Sequence, residues 1–356
     1  MLTVPHMLKT SLAVAVFVAM GASSIPSQAT PVGEALQRPA LQVLHPERAV
    51  LLSATWAGRR IVAVGERGIA IYSDDGGTHW RQAKVPTSVS LTAVQFFGDH
   101  RGWAVGHGGV VLTTVDAGQS WTLQLDGRQV AALVAKSAQA SGDAKAQAEA
   151  DRLIASGPDK PFLDLHFLDA QRGMVVGAYG LALTTQDGGK TWSSMGARLD
   201  NPGGMHLYSL QSQGEKLLIA GEQGLVLLSL DAGASFRRLK VPYDGTFFRA
   251  SWLGDRSLLV AGLRGQLWRS DDLGVSWAQV SAPVPVSFSA MVADPQGTLW
   301  LANQAGGLFA YTGEQLRPMA QSALPPTAGL LALDAGRLLA LTVQGAIVVP
   351  TAGARP

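Results

Sequence analysis

The chain has 356 residues, of which 47% are apolar and 15% charged, with 41 Gly, no Cys and a formal net charge of +2. That composition excludes a disordered chain, and glycine at this frequency excludes a long helical protein. Without cysteine there is no disulfide, thiolate metal site, cysteine nucleophile or lipidated Cys, and the small net charge argues against electrostatic nucleic-acid binding.

The N-terminus carries Lys9, an apolar stretch from Leu12 to Ala22, and Ser27-Gln28-Ala29 with small residues where a peptidase would cut. The stretch is shorter than the roughly 20 residues that span a bilayer, so residues 1–29 are read as a signal peptide cleaved near Ala29. Residues 30–356 are then expected to form one domain, exported to the periplasm or beyond and acting as a single copy.

One phrase recurs along that domain: VAVGERGIAIYSDDGGTHW ending at Trp80, WAVGHGGVVLTTVDAGQSW at Trp121, MVVGAYGLALTTQDGGKTW at Trp192, LIAGEQGLVLLSLDAGASF at Phe236 and LVAGLRGQLWRSDDLGVSW at Trp277. Its marker glycines are Gly68, Gly109, Gly180, Gly224 and Gly265, continuing weakly through Gly307 and Gly345. A period of about 41 residues made of short apolar alternations between Gly turns predicts an all-β, seven-bladed β-propeller with four strands per blade. The innermost strands are expected at 49–55, 91–97, 162–167, 206–210, 246–252, 287–292 and 330–333. The seventh unit has only three strands, so Leu41 to His45 is expected to supply the fourth and close the ring.

The turns at 73–80, 114–121, 185–192, 229–236 and 270–277 are Asp boxes, with Asp75, Asp116, Asp187, Asp231 and Asp272 accepting turn N–H groups. Their closing aromatics, Trp80, Trp121, Trp192, Phe236 and Trp277, are expected to wedge between sheets. A ring needed at every blade serves packing rather than catalysis, and an EF-type calcium loop needs more oxygen ligands than a box offers. The sixth and seventh units have lost the box, with Glu314 and Ala352 at the Asp positions.

If the boxes join third and fourth strands, the hairpins between second and third strands lie on the opposite face with the blade-to-blade connections. Those tips vary between copies where the scaffold does not, which is where a site can be grafted. The segment 126–161, in the one long interval, falls on this face. Its Ala-rich stretch Val130 to Ile154 reads as one or two helices broken near Ser141-Gly142, a lid or docking element between blades two and three.

The five boxes, the unit count, the signal peptide and the passages GPDKPFLDLHF (157–167), GAYGLALTTQDGGKTW (177–192) and DNPGGMHLYSL (200–210) resemble the photosystem II assembly and stability factor family of BNR propellers, closest to its exported non-photosynthetic bacterial branch. The resemblance implies a binding protein that docks on a membrane-protein partner through an arginine-bearing surface, with an RND-type exporter as a further possibility. Arg67, Arg249 and Arg264 are the arginine candidates. Together with His107, Asp164, Tyr179, His206 and Glu222 they form the expected partner-binding set, with no catalytic residue, metal or cofactor.

The rival reading is an Asp-box glycoside hydrolase, sialidase-like or glucanase-like, which needs two carboxyl groups across a sugar site. Glu66, Asp159, Asp164, Asp200, Glu222 and Asp244 are available and no pair stands out; a Tyr179 or Tyr208 pairing with Glu222 would imitate a sialidase nucleophile. No histidine pair has zinc spacing, although His166 and His206 are expected at matching places on adjacent inner strands, both facing the channel. The Gly-rich tips precede strands rather than helices and make no phosphate cradle.

Overall fold

The computed structural model describes residues 34–319 and 323–351, so the signal peptide and Ala352 lie outside the described residues. Seven antiparallel sheets follow in chain order, each strand paired with its sequence neighbours. Blade one is Leu51–Ala57, Arg60–Gly65, Ala70–Ser73 and Arg81–Gln82. The inner strands of the others are Leu91–Phe97, Phe162–Phe167, Leu207–Gln213, Phe247–Trp252, Phe288–Ala293 and Thr327–Asp334. Each packs on the next, and Thr327–Asp334 returns to Leu51–Ala57, so the chain is a closed seven-bladed propeller. Second strands such as Leu217 to Ala220 and Leu258 to Ala261 are buried throughout because a blade lies against both their faces.

The repeated glycines answer two different constraints. At Gly65, Gly106 and Gly262 the backbone is extended, but a Cβ would sit 2.0 to 2.2 Å from the carbonyl oxygens of Val50, Ser90 and Thr246, so space is the constraint. At the marker positions the constraint is positive φ, as in Gly68 at 74°. The sixth marker is Gly306, with φ 81° and no room for a Cβ beside Leu324 O, rather than the expected Gly307.

The expected ring closure does not form. The seventh blade has three strands, Thr327–Asp334, Arg337–Thr342 and Gly345–Pro350, and Leu41 to His45 form no strand. That segment lies against blade one instead: Ala40 N–H donates to Val85 O (3.1 Å), Val43 N–H to Gln82 Oε1 (2.9 Å), and the Gln82 amide to Leu41 O (2.8 Å). What closes the ring is apolar packing of Leu331, Leu339 and Leu341 against Leu51, Ile61 and Ile71, with the Trp56 indole N–H on Ala332 O at 3.0 Å. Outer strands here are as short as Arg81–Gln82, so a borrowed one would add little to this inter-blade core.

The boxes close on themselves. In one, Thr185 and Thr191 hydroxyls donate to Asp187 at 2.9 and 2.6 Å, the Thr191 N–H adds a third bond, and Gly189 N–H donates to Thr185 Oγ1. In blade one His79 replaces that hydroxyl, its Nδ1 lying 2.6 Å from Asp75. Each aromatic sits in the cluster between its own blade and the preceding one, Trp192 with Trp103 and Phe167, Phe236 with Met174 and Leu217.

Hydroxyl and backbone donors lower the pKa of Asp187, Asp231 and Asp272 to about 2. The stability they contribute is therefore complete above the ordinary carboxylate pKa and is lost as pH falls from about 4 toward 2. Unfolding midpoints measured across that window are expected to drop steeply, and Asp187→Asn to show a shallower drop with a lower midpoint at neutral pH.

The insertion is a helical hairpin, α1 (Gly127–Ser141) and α2 (Ala144–Ser156). Asp126 begins α1 with a capping box to Gln129, Gly142 ends it in the left-handed conformation, and Asp143 caps α2. Val130, Leu133, Val134 and Leu153 pack into the cluster holding Leu181 and Trp192, and α1 lies along the outer strand Ser193–Ser194. The hairpin thus buttresses the outer edge of blade three, with Lys145 Nζ donating to Pro202 O at 3.0 Å.

Candidate functional site

The tips between second and third strands share one face with the blade-to-blade connections: Gly68 touches Thr87, Gly109 touches Gly127, Gly180 touches Asn201 and Gly265 touches Val284. The boxes lie at the other end of the same strands. At the middle of four tips a non-glycine residue is held in the left-handed region, Arg67 (φ 55°), Tyr179 (56°), Gln223 (50°) and Arg264 (55°), where blade two uses Gly108. Each costs about 1 kcal/mol or more relative to glycine. In the boxes Ala117, Ala232 and the half-buried Leu273 take the same conformation, whereas at the tips the side chains are long and project into solvent.

All seven inner strands carry a register shift at their second residue, a β-bulge that turns one extra side chain toward the mouth of the channel. In blades four and five that residue is aromatic, Tyr208 and Phe248. With Tyr179 and His206 they form a continuous row across blades three to five. Tyr179 meets His206 edge-on at 4.7 Å between ring centroids, His206 lies 6.1 Å from Tyr208, and Tyr208 lies 5.2 Å from Phe248. Lys160 Nζ sits 5.0 Å from the Tyr179 ring centroid.

Glu222, on the tip of blade four, fixes this row. Its Oε2 accepts the His206 N–H at 2.9 Å and its Oε1 lies 3.0 Å from His206 Nδ1. Burial, then the Glu222 charge, raises the pKa of the neighbouring Tyr208 phenol above its ordinary value. Below the rim, Asp164 and Arg249 occupy equivalent positions just after the bulges of blades three and five. Asp164 Oδ1 accepts its neighbour Leu165 N–H at 2.9 Å and Oδ2 accepts Leu210 N–H at 2.8 Å, tying blade three to blade four. Burial pushes Asp164 up to about 6 despite those bonds and the Arg249 charge, and lowers the pKa of Arg249.

Between about pH 4 and 6, then, the folded chain holds a proton on Asp164 that the unfolded chain releases, and stability falls as pH rises through that window. Unfolding midpoints followed from pH 4 to 6.5 are expected to show this decline in the native chain and a flatter profile in Asp164→Asn.

Of the eight expected partner-binding residues, ring contacts and hydrogen bonds join Tyr179, His206 and Glu222 on the rim, with Asp164 and Arg249 beneath them. Arg264 is exposed on the tip of blade five, where its charge acts on Tyr243, and Tyr243 packs on the buried Phe247 rather than on the row. Arg67 and His107 are exposed on the tips of blades one and two, away from the row. Arg249 lies half-buried in the channel, so the three arginines do not make one surface patch. Tyr208, Phe248 and Lys160 were not among the expected binding residues. An aromatic directly after the buried first residue of an inner strand is the sequence signal for the first two.

His166 and His206 do not match. Register places His166 opposite Met174 and His206 just before its strand, level with Pro161. His166 bonds Ser212 at 2.6 Å and burial lowers its pKa to about 4, so it is a neutral structural histidine. Among the described residues no group of three or more His, Asp or Glu is placed to hold a metal.

The family model for the photosynthesis system II assembly factor YCF48 matches residues 50–133 and 145–298. A curated relative, the photosystem II assembly lipoprotein Ycf48 of Synechococcus sp. (strain CC9902), is 32% identical over 119 residues, which is 32% of this chain and 35% of that one. The alignment therefore spans about a third of the relative's length. Among solved structures, a YCF48 bound to D1 peptide has a TM-score of 0.64 at 17% identity, covering 87% of this chain and 98% of its own. YCF48 from Cyanidioschyzon merolae gives 0.63 at 15%, covering 85% and 96%. A GH74 xyloglucanase from Xanthomonas campestris gives 0.61 at 12%, covering 85% of this chain and 52% of that one. The propeller is thus shared by binding proteins and a hydrolase, and the fold does not choose between them. The family model does discriminate: it runs from the first blade into the sixth and passes over only part of the helical insertion, and the chain belongs to the photosynthesis system II assembly factor YCF48 family.

Proposed function

We propose that the chain is a non-catalytic assembly factor of the cell envelope that holds an extended segment of a membrane-protein or exporter partner on its tip face. The observation that carries this reading is the row Tyr179, His206, Tyr208 and Phe248, an aromatic rail across three blades with Lys160 and Glu222 beside it. Aromatic anchors on a rigid frame contribute large contact area at little entropic cost. One relative's structure is described as bound to a D1 peptide, which supports a polypeptide as the ligand class. Export of residues 30–356 after cleavage near Ala29 belongs to the same proposal. Among the described residues no helix is long and apolar enough to cross a membrane.

The hydrolase alternative is disfavoured by how the best-placed acids are used. Both Glu222 oxygens are engaged by His206 and both Asp164 oxygens by backbone N–H groups, and the Tyr208 phenol beside Glu222 has its pKa raised, the reverse of an activated nucleophile. A glycosidase acid must instead present a free oxygen to the glycosidic bond.

The test is capture of detergent-solubilised envelope proteins on the immobilised chain. A Tyr208→Ala, Phe248→Ala double variant should lose the captured membrane protein, and a Val115→Ser, Val275→Ser variant on the box face should retain it. Equal capture by the rail variant would contradict the proposal, as would turnover of sialosides or β-glucans that disappears in Glu222→Gln.

A further inference from the structure

Every blade but the last carries an outer strand on its third strand, and on blade seven the place of that strand is open. The third strands Ala70–Ser73, Ala182–Thr185, Val226–Ser229 and Leu308–Tyr311 are buried throughout. In Gly345–Pro350, by contrast, Val348 is 38% exposed and Pro350 is exposed as well. Among the described residues no strand pairs with the outer edge of Gly345–Pro350.

The register says which groups this edge presents. Val343 and Gln344 are the whole loop between the second and third strands, so Thr342 and Gly345 close it by exchanging both backbone hydrogen bonds. Alternation then turns the N–H and C=O of Ala346 and Val348 outward, away from Arg337–Thr342, and Pro350, the next outward position, has no N–H to leave unpaired. In the filled blades the same positions hold the outer strand. Ala346 pairs with Leu341 as Ala70 pairs with Val64 and Leu267 with Ala261, and the Ala70 and Leu267 carbonyls accept Ala83 N–H and Val280 N–H at 2.8 Å. Val348 matches Tyr72 and Arg269, which face Arg81 and Ala278. The residue that ends or follows each outer strand is apolar and fills a seam: Ala83, Leu125, Met195, Leu239, Val280 and Met319 each pack in a different inter-blade cluster. The cluster between blades seven and one has no such member.

We propose that the outer edge of Gly345–Pro350 is a second binding site, which takes an extended segment of another polypeptide as an added antiparallel strand. The filled blades define the occupant: two side chains that stay in water, then an aliphatic one that is buried, as in Arg237-Arg238-Leu239 and Ala278-Gln279-Val280. The first two residues face Val348 and Ile347, and the aliphatic one donates its N–H to Ala346 O and enters the cluster holding Ile69, Leu341 and Ala346. The chain's own N-terminal segment does not supply this strand. Val43 stands eight residues before the inner strand of blade one, as Ala83 does before that of blade two, but residues 40–43 are held on blade one by Val85 O, Ala83 O and the Gln82 side chain. The same edge of a second copy does not supply it either, because its Ala346, Ile347 and Val349 are packed in that copy's own seams and none is free to enter this one. The site lies on the rim of blade seven, clear of the rail on blades three to five, and does not depend on the function proposed above.

The probe is the capped hexapeptide Phe-Arg-Arg-Leu-Lys-Val, the chain's own residues 236–241 from blade four, added to the full exported chain at millimolar concentration. Amide hydrogen exchange reads the edge. In the free chain the Val348 N–H is expected to exchange at least tenfold faster than the Tyr72 N–H, and the peptide to slow it at least tenfold, with little slowing by the Leu→Asp form. Val348→Pro removes an outward N–H without touching a bond to Arg337–Thr342, so that variant should keep its unfolding midpoint and bind the peptide at least tenfold more weakly by calorimetry. Protection of Val348 in the free chain equal to that of Tyr72 would show that the chain fills its own edge, and would overturn the site. So would no slowing at millimolar peptide, equal slowing by the Leu→Asp form, or undiminished binding by a folded Val348→Pro. If Val348→Pro unfolds, the Leu→Asp comparison on the native chain decides.

Discussion

Trp103→Ala is expected to lower the unfolding free energy by about 3–5 kcal/mol, among the largest effects of any single substitution outside the glycines. Trp103 is fully buried in the second strand of blade two and stacks on Phe167 of blade three, centroids 3.6 Å apart and planes 8° from parallel. Its indole N–H donates to Gly188 O at 3.2 Å, in the turn of the blade-three box. One side chain therefore joins two sheets and a box turn, and removing it leaves a cavity that the surrounding strands cannot collapse to fill. Chemical denaturation of the native chain, Trp103→Ala and Trp103→Phe would check this. The phenylalanine variant should recover much of the loss, and a loss under about 1 kcal/mol for Trp103→Ala would show that the seam is not tightly packed.

Tyr179→Gly is expected to weaken partner binding at least tenfold while leaving stability unchanged or raising it by about 1 kcal/mol, because glycine accepts the left-handed conformation without strain. Tyr179 is 61% exposed, so little buried area is lost in the free protein. Its ring nevertheless forms one end of the rail, between Lys160 and His206. A residue that destabilises the free chain and exposes an aromatic ring fits a binding anchor rather than a packing residue. Affinity and thermal unfolding measured on the same preparation separate the two effects. A drop in affinity accompanied by an equal drop in stability would make Tyr179 a scaffold residue instead.

The repeat made the fold legible. Marker glycines and boxes recur because each blade needs the same close approaches and the same self-satisfied turn, and those constraints write themselves into residue type. The closure was not legible, because the count of three strands in the last unit suggested a missing fourth, whereas Leu51, Ile61 and Leu341 close the ring by packing that has no sequence motif. The site was legible in part. Tip residues such as Tyr179 and Glu222 stand out because they vary where glycines do not. Tyr208 and Phe248 were hidden by the bulge, which breaks the two-residue alternation and places adjacent residues such as Phe248 and Arg249 near the same opening. His166 and His206 are not equivalent, because His166 lies near the far end of its strand and His206 just before the start of its own.

The central claim is that the partner is held by the tip face of blades three to five. Amide hydrogen exchange of the complex with its captured partner tests it most directly. Protection is expected at the tips around Tyr179 and Glu222 and along Tyr208 and Phe248, with the box turns at Asp116 and Asp272 unchanged. Protection confined to the box turns, or to the tips of blades one and two around Arg67 and His107, would contradict it.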